Sequence, residues 1–172
     1  MTATWTTPRT WQPGELVTAA LLNTYVRDNF DAAVAPAVTI VNYTKGSDFS
    51  VTGAGSTSWQ DVDATNLAGS ITLSSRTRIR FSVQLQSKVT LAAGTYVAYR
   101  IYVDGTTAVG DATYGMGVQI AGSVDHRLTL DNYITGLSAN AHTFKLQWKL
   151  SNTSDTGYIR GLYPVTIIAE SF

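Results

Sequence analysis

Beyond Pro36 the chain alternates apolar and polar residues with a period of two, and it does so almost to its end. Ile79, Phe81, Val83 and Leu85 alternate with Arg78, Arg80, Ser82, Gln84 and Gln86, as in a strand with one face buried. Val97, Tyr99, Ile101 and Val103 do the same against Ala98, Arg100 and Tyr102, and Asp104-Gly105 follows at once, a strong hairpin signal. The cleanest alternation sets Phe144, Leu146, Trp148 and Leu150 against Thr143, Lys145, Gln147 and Lys149, and a last strand is expected over 165–169. Weaker strands fit near 38–44, 57–63, 68–74, 113–121 and 126–134, separated by Gly, Ser, Asn and Asp clusters. Eight or nine short strands at regular spacing predict a mainly β fold, an antiparallel β-sandwich of jelly-roll type over 37–172.

The first 36 residues follow another rule. Residues 1–17 read as an extended, Thr-rich arm carrying Trp5 and Trp11, indoles large enough that they are expected to be docked rather than loose. After the Pro13-Gly14 turn, Thr18 reads as an N-cap, with Val17 placed to staple against Leu22. A helix is predicted from about 19 to about 34, ended by Ala35-Pro36. Leu22, Val26, Phe30 and Ala33, joined by Tyr25, fall on one side of it; Asn23, Arg27, Asp28 and Asp31 lie elsewhere. A solitary helix of this length is marginal in water, so the stripe needs a partner surface. Residues 1–36 are therefore expected to attach the chain to something or to copies of itself.

Composition sharpens that expectation. Charged residues make up 14% of the 172 residues, against about 25% in ordinary soluble domains, while hydrophobic residues reach 44%. Lys and Arg together number 12 and so do Asp and Glu, so no basic field exists to recruit a nucleic acid, and the absence of net charge suits a subunit fixed in an assembly. There is no cysteine, hence no disulfide framework and no thiolate metal site. The opening residues lack the pattern of a signal peptide, and no stretch approaches the roughly 20 apolar residues of a membrane helix, so neither export by that route nor membrane insertion is expected.

Candidate chemistry is sparse, and no enzymatic role, cofactor or metal is expected. Of the two histidines, His142 shares parity with Phe144 and reads as a structural or rim residue. His126 has Ser123 and Asp125 beside it, but neighbours along a strand point to opposite faces and cannot form a triad. Gly115-Met116-Gly117 lacks the third glycine and the helix of a dinucleotide loop. Asp61-Val62-Asp63-Ala64-Thr65-Asn66 lacks the glycine and glutamate of a calcium loop and reads as a polar connection. Glu15 and Glu170 are the only glutamates, which disfavours a glycosidase pair. Arg76, Arg78 and Arg80 are expected on one strand face, able to hold an acidic partner or an anionic glycan, although a solvated face is the plainer reading. Arg100 with Tyr96 and Tyr102 forms a second candidate ligand or partner face. Trp59, Tyr114, Tyr158 and Tyr163 are further rings that could stack on sugars, or else fill a core or a subunit interface.

The segment from Thr4 to Phe30 carries P-R-x-W (Pro8, Arg9, Trp11), G-E-x-V-T (Gly14, Glu15, Val17, Thr18) and L-N-x-x-x-R-D-N (Leu22, Asn23, Arg27, Asp28, Asn29). It resembles a recurrent N-terminal segment of tailed-bacteriophage virion proteins. The remainder, notably Thr135 to Trp148, looks like the small jelly-roll or tumour-necrosis-factor-like domains of tail fibres, head fibres and capsid decoration proteins, without any repetitive shaft. The resemblance implies an accessory virion protein, made in the host cytoplasm, anchored by Trp5, Trp11, Leu22, Tyr25, Val26 and Phe30. It also implies a homotrimer, because the resembling domains are usually trimeric. Capsid and tail positions remain equally open, and a carbohydrate- or host-receptor-binding module is the alternative, with a host surface glycan as its partner.

Overall fold

A computed structural model describes residues 6–7, 9–30, 35–53, 56–74, 76–90, 95–120 and 122–172. Trp5 and the expected end of the helix at 31–34 lie outside the described residues. Twelve strands form two antiparallel sheets: β1 (Val38–Tyr43), β2 (Phe49–Thr52), β3 (Gln60–Asp61), β4 (Ala68–Thr72), β5 (Ile79–Thr90), β6 (Tyr96–Val103), β7 (Thr107–Val109), β8 (Gly117–Ile120), β9 (Gly122–Ile134), β10 (Ala141–Leu150), β11 (Thr156–Ile159) and β12 (Val165–Ser171).

The first sheet is organised about β5. One edge of β5 pairs with β9, with a register shift between Ser87 and Val89; the other pairs first with β12 and then with β11. β1 lies outside β12 and β2 outside β11. The second sheet is organised about β10, which takes β6 on one edge and β4 then β3 on the other, while β7 and β8 share the far edge of β6. The principal strands thus run β1-β12-β5-β9 in one sheet and β4-β10-β6-β8 in the other. The chain changes sheet at each step along them except from β6 to β8, which is jelly-roll order.

Between the sheets lies the core that the alternation predicts: Ile79, Phe81, Val83 and Leu85 from β5, Val97, Tyr99, Ile101 and Val103 from β6, Phe144, Leu146, Trp148 and Leu150 from β10, Val165, Ile167 and Ala169 from β12. Phe81 meets Phe144 edge-on across the sandwich, with ring centroids 5.3 Å apart. Within this core the Tyr99 hydroxyl is satisfied: it lies 2.6 Å from Ser87 Oγ, both residues fully buried. Gly69 lets β4 pass beneath the Phe144 ring, since a Cβ there would stand 2.7 Å from the ring edge.

Three strands escape the alternation argument: β2, β7 and β11 hold four residues or fewer, too few to show a period. The expected strand at 113–121 shortens to β8, because the chain at 111–116 is a turn closed by two hydrogen bonds between Asp111 and Gly115. Likewise only Gln60 and Asp61 of the expected 57–63 strand pair with β10.

At the N-terminal end, α1 (Ala19–Leu22) starts where the cap predicts, with Thr18 Oγ1 accepting from the Leu21 amide. It then widens into a π-helical turn (Asn23–Arg27), in which the Asp28 amide reaches the Asn23 carbonyl, and helical backbone continues through residue 30. No described helix is long and apolar enough to cross a membrane.

Candidate binding surfaces

The N-terminal arm is held on its helix by the side chains that form its sequence motif. Asn29 is the anchor: only 6% exposed, its Oδ1 accepts from the Thr6 amide and its Nδ2 donates to the Thr6 carbonyl, both at 2.7 Å. The amide side chain thereby acts as a one-residue strand partner for the arm. Arg9 pairs with Glu15, and its guanidinium sits over Trp11 at 5.0 Å and Tyr25 at 5.8 Å. The two rings meet edge-on at 6.4 Å, and Trp11 stays 37% exposed. Arg27 pairs with Asp28 on the solvent side.

Asn29, Arg9 and Glu15 thus fasten the arm, while the apolar side chains of this segment remain outside. Leu16, Val17, Leu22, Val26 and Phe30 are all exposed, Phe30 by 65% and Leu16 by 81%. Val17 and Leu22, expected to staple the helix start, are each about half exposed. Exposed apolar side chains in such number on one short unit form the kind of patch that marks an interaction surface.

The arginines and tyrosines singled out from the sequence divide between opposite faces of the sandwich. Arg76 and Arg78 precede β5, and Arg80 stands on its outward face, 3.3 Å from Asp131 of β9. Arg78 leans on Phe172 at 5.9 Å. They therefore border the outer face of the first sheet, where Arg80 is neutralised by an aspartate.

Arg100 and Tyr102 lie instead on the outer face of the second sheet, where register sets Arg100 opposite Gln147 and Tyr102 opposite Lys145. The Arg100 guanidinium is sandwiched between Trp59 (4.3 Å) and Tyr102 (4.8 Å). Its Nε donates to Gln147 Oε1 at 2.8 Å, and Gln147 Nε2 donates to Asp61 Oδ1 at 2.7 Å. Lys145 bonds the other Asp61 oxygen at 2.6 Å, and Lys149 lies over Trp59 at 4.8 Å. Burial alone would raise the Asp61 carboxyl, but the hydrogen bonds from Lys145 and Gln147 and the Lys145 charge hold it below its ordinary 3.8. Burial lowers Arg100, and it lowers Lys149 as well, with repulsion from Arg100 adding to the effect. Tyr96 ends this face, its ring 5.3 Å from Tyr114.

Trp59 is positioned by the 111–116 turn, whose Ala112 carbonyl accepts from its indole at 3.3 Å. Asp111 folds that turn by accepting from the Thr113 and Tyr114 amides. Beside this cluster runs a shallow groove of about 690 Å³, lined by Ala68 and Gly69 of β4, Thr143 and Lys145 of β10, and Tyr102 and Asp104 of the β6–β7 hairpin. Sequence parity places Lys145, Gln147 and Lys149 on one strand face and Arg100 and Tyr102 on another. Nothing in it makes those strands neighbours, and it gives no reason to bring Trp59, a candidate sugar-stacking ring, or Asp61, in a polar connection, to the same face.

His142 is a clamp. Its Nδ1 lies 2.7 Å from Asp104 Oδ2 and its Nε2 2.9 Å from the Ser138 carbonyl, while Asp104 Oδ1 accepts from the Thr143 amide. The hydrogen bonds that the ring donates to the Asp104 carboxylate and to the Ser138 carbonyl raise the imidazole above 6.5. The Asp63 carboxylate caps the amides of Thr65 and Asn66, so the 61–66 segment is a self-closed turn. Among the described residues no three His, Asp or Glu side chains gather as metal ligands would.

The fold and surfaces define an antiparallel jelly-roll sandwich with a helical arm. No protein-family model matches the chain, and no curated protein does. Among solved structures it is similar to the infectious bursal disease virus VP2 subviral particle, at 17% identity and a TM-score of 0.48, over 81% of this chain and 38% of that one. It is also similar to T=1 particles derived from that virus (16% identity, TM-score 0.46, 98% and 41% covered) and to its Gt strain (12%, 0.43, 98% and 43%). The chain spans about two fifths of the length of each.

Proposed function

We propose that this chain is an accessory structural protein of a tailed-phage virion, anchored through its N-terminal arm and helix, with the sandwich displayed as a capsid decoration or at a tail tip or fibre. The observation that carries the reading is the division of labour within residues 6–30. The residues shared with phage virion openings fasten the arm to the helix, and they leave Leu16, Val17, Leu22, Val26 and Phe30 facing outward. Burying one Leu or Phe contributes about 1.5 to 3 kcal/mol, so a particle surface covering three of them would hold the subunit firmly. The triple change Leu22→Gln, Val26→Gln, Phe30→Gln tests it. The variant should keep the thermal unfolding of the sandwich and fail to appear on particles assembled in its presence. Normal occupancy on purified particles would rule the anchoring out.

A further inference from the structure

We propose that the outer face of the second sheet binds an anionic saccharide, its acidic group held by Arg100, Lys149 and Lys145 and its ring lying in the adjoining groove against Tyr102. The inference is independent of how the arm attaches.

Charge supplies the first argument. The chain as a whole is balanced at 12 and 12, yet this face gathers three cations around one carboxylate. Asp61 is committed to Lys145 and Gln147; neither Arg100 nor Lys149 has an ion-pair partner among the described residues, and Asp111 acts on Lys149 only from a distance. Two partly desolvated cations sharing one indole repel each other, and a bound anion relieves that repulsion.

Preorganisation is the second. Trp59 and Tyr102 fix the plane of the guanidinium, and the Gln147 bond to Nε leaves both terminal nitrogens for a two-pronged contact with an acid group. Little rotamer freedom remains to be lost on binding.

Shape decides between ligand classes. The groove shares Tyr102 and Lys145 with the cationic cluster, and β4 lines it only with the small residues Ala68, Gly69 and Ser70. It offers a hydroxyl from Thr143 and an aromatic wall, which suit a polyhydroxylated ring with an apolar face. A nucleic acid would need a basic field extending beyond three side chains, and the net charge supplies none.

Calorimetric titration of the full-length protein with 3′-sialyllactose, N-acetylglucosamine 6-phosphate, lactose and a short oligothymidylate tests the proposal. Saturable millimolar binding of at least one anionic sugar is expected, weakening as salt rises, with lactose at least about tenfold weaker. The sugar that binds tighter tells whether carboxylate or phosphate is preferred. Arg100→Gln should weaken that binding at least about tenfold. Lys149→Gln should do likewise and, lying at a partly exposed position, keeps the test decisive if the first variant misfolds. Absence of binding by both anionic sugars, equal binding of lactose, an oligothymidylate that binds as tightly as the sugars, or unchanged affinity in a folded Lys149→Gln variant would each overturn it.

Discussion

At the residue scale, two polar pairs set measurable terms in stability. His142 gives both ring nitrogens to acceptors, Asp104 and the Ser138 carbonyl, which is an arrangement for the doubly protonated ring. Its folded pKa is raised, so its contribution is fully present below the ordinary 6.5 and is lost as pH climbs through the higher folded value. Asp104 behaves oppositely: its carboxyl is depressed, so its share is present above 3.8 and lost only in stronger acid. With Asp104 39% exposed, water screens the pair to about 1 kcal/mol. Urea midpoints should therefore favour the natural protein over His142→Gln at about pH 5 and converge toward about pH 8; a gap that widens with pH would refute the assignment. The second pair, Ser87 with Tyr99, is fully dry. Tyr99→Phe should cost about 1 to 2 kcal/mol by stranding the Ser87 hydroxyl, and adding Ser87→Ala should recover part of it in a double-mutant cycle.

At the element scale, the 111–116 turn carries Trp59 and therefore the cationic face, and one glycine makes it. Gly115 adopts a φ of +62°, and a Cβ there would stand 2.3 Å from the Tyr99 carbonyl oxygen and 2.9 Å from the Trp59 ring. Gly136 has a similar φ of +76° with nothing near its Cβ position. Gly136→Ala should thus show the conformational penalty alone, about 1 kcal/mol, and Gly115→Ala clearly more, measured as the fall in melting temperature. Equal falls would mean that the close approach to Tyr99 does not matter. The hairpin at Asp104-Gly105 was legible beforehand because its chemistry is local: both residues take positive φ, at 51° and 66°, and the Thr106 amide closes the turn on Val103. The π-helical turn at Asn23–Arg27 had no such signature.

At the scale of the whole molecule, a chain with no net charge and an uncovered apolar stripe should not remain alone in solution. Around a threefold axis, Leu22, Val26 and Phe30 of three helices could cover one another with no particle present. Light scattering of the full-length protein at micromolar concentration should then report a trimer, and the Leu22, Val26, Phe30 triple-glutamine variant a monomer. A natural chain that is monomeric there would remove self-association and leave the particle as the helix's partner.

Alternation along the chain was enough to determine which side chains of β5, β6, β10 and β12 fill the core, since burial of one sheet face imposes a period of two whatever the neighbouring strand. Local capping likewise determined where the helix begins at Thr18. Strand adjacency was decided only in three dimensions. The pairing of β10 with β6, β4 and β3 brings Arg100, Tyr102, Lys145, Lys149 and Asp61 together with Trp59 from positions up to ninety residues apart. Alternation tells each residue its face and is silent about its neighbour, because backbone ladder bonds are alike for any pair of strands and the partner is selected by packing between segments far apart in the chain.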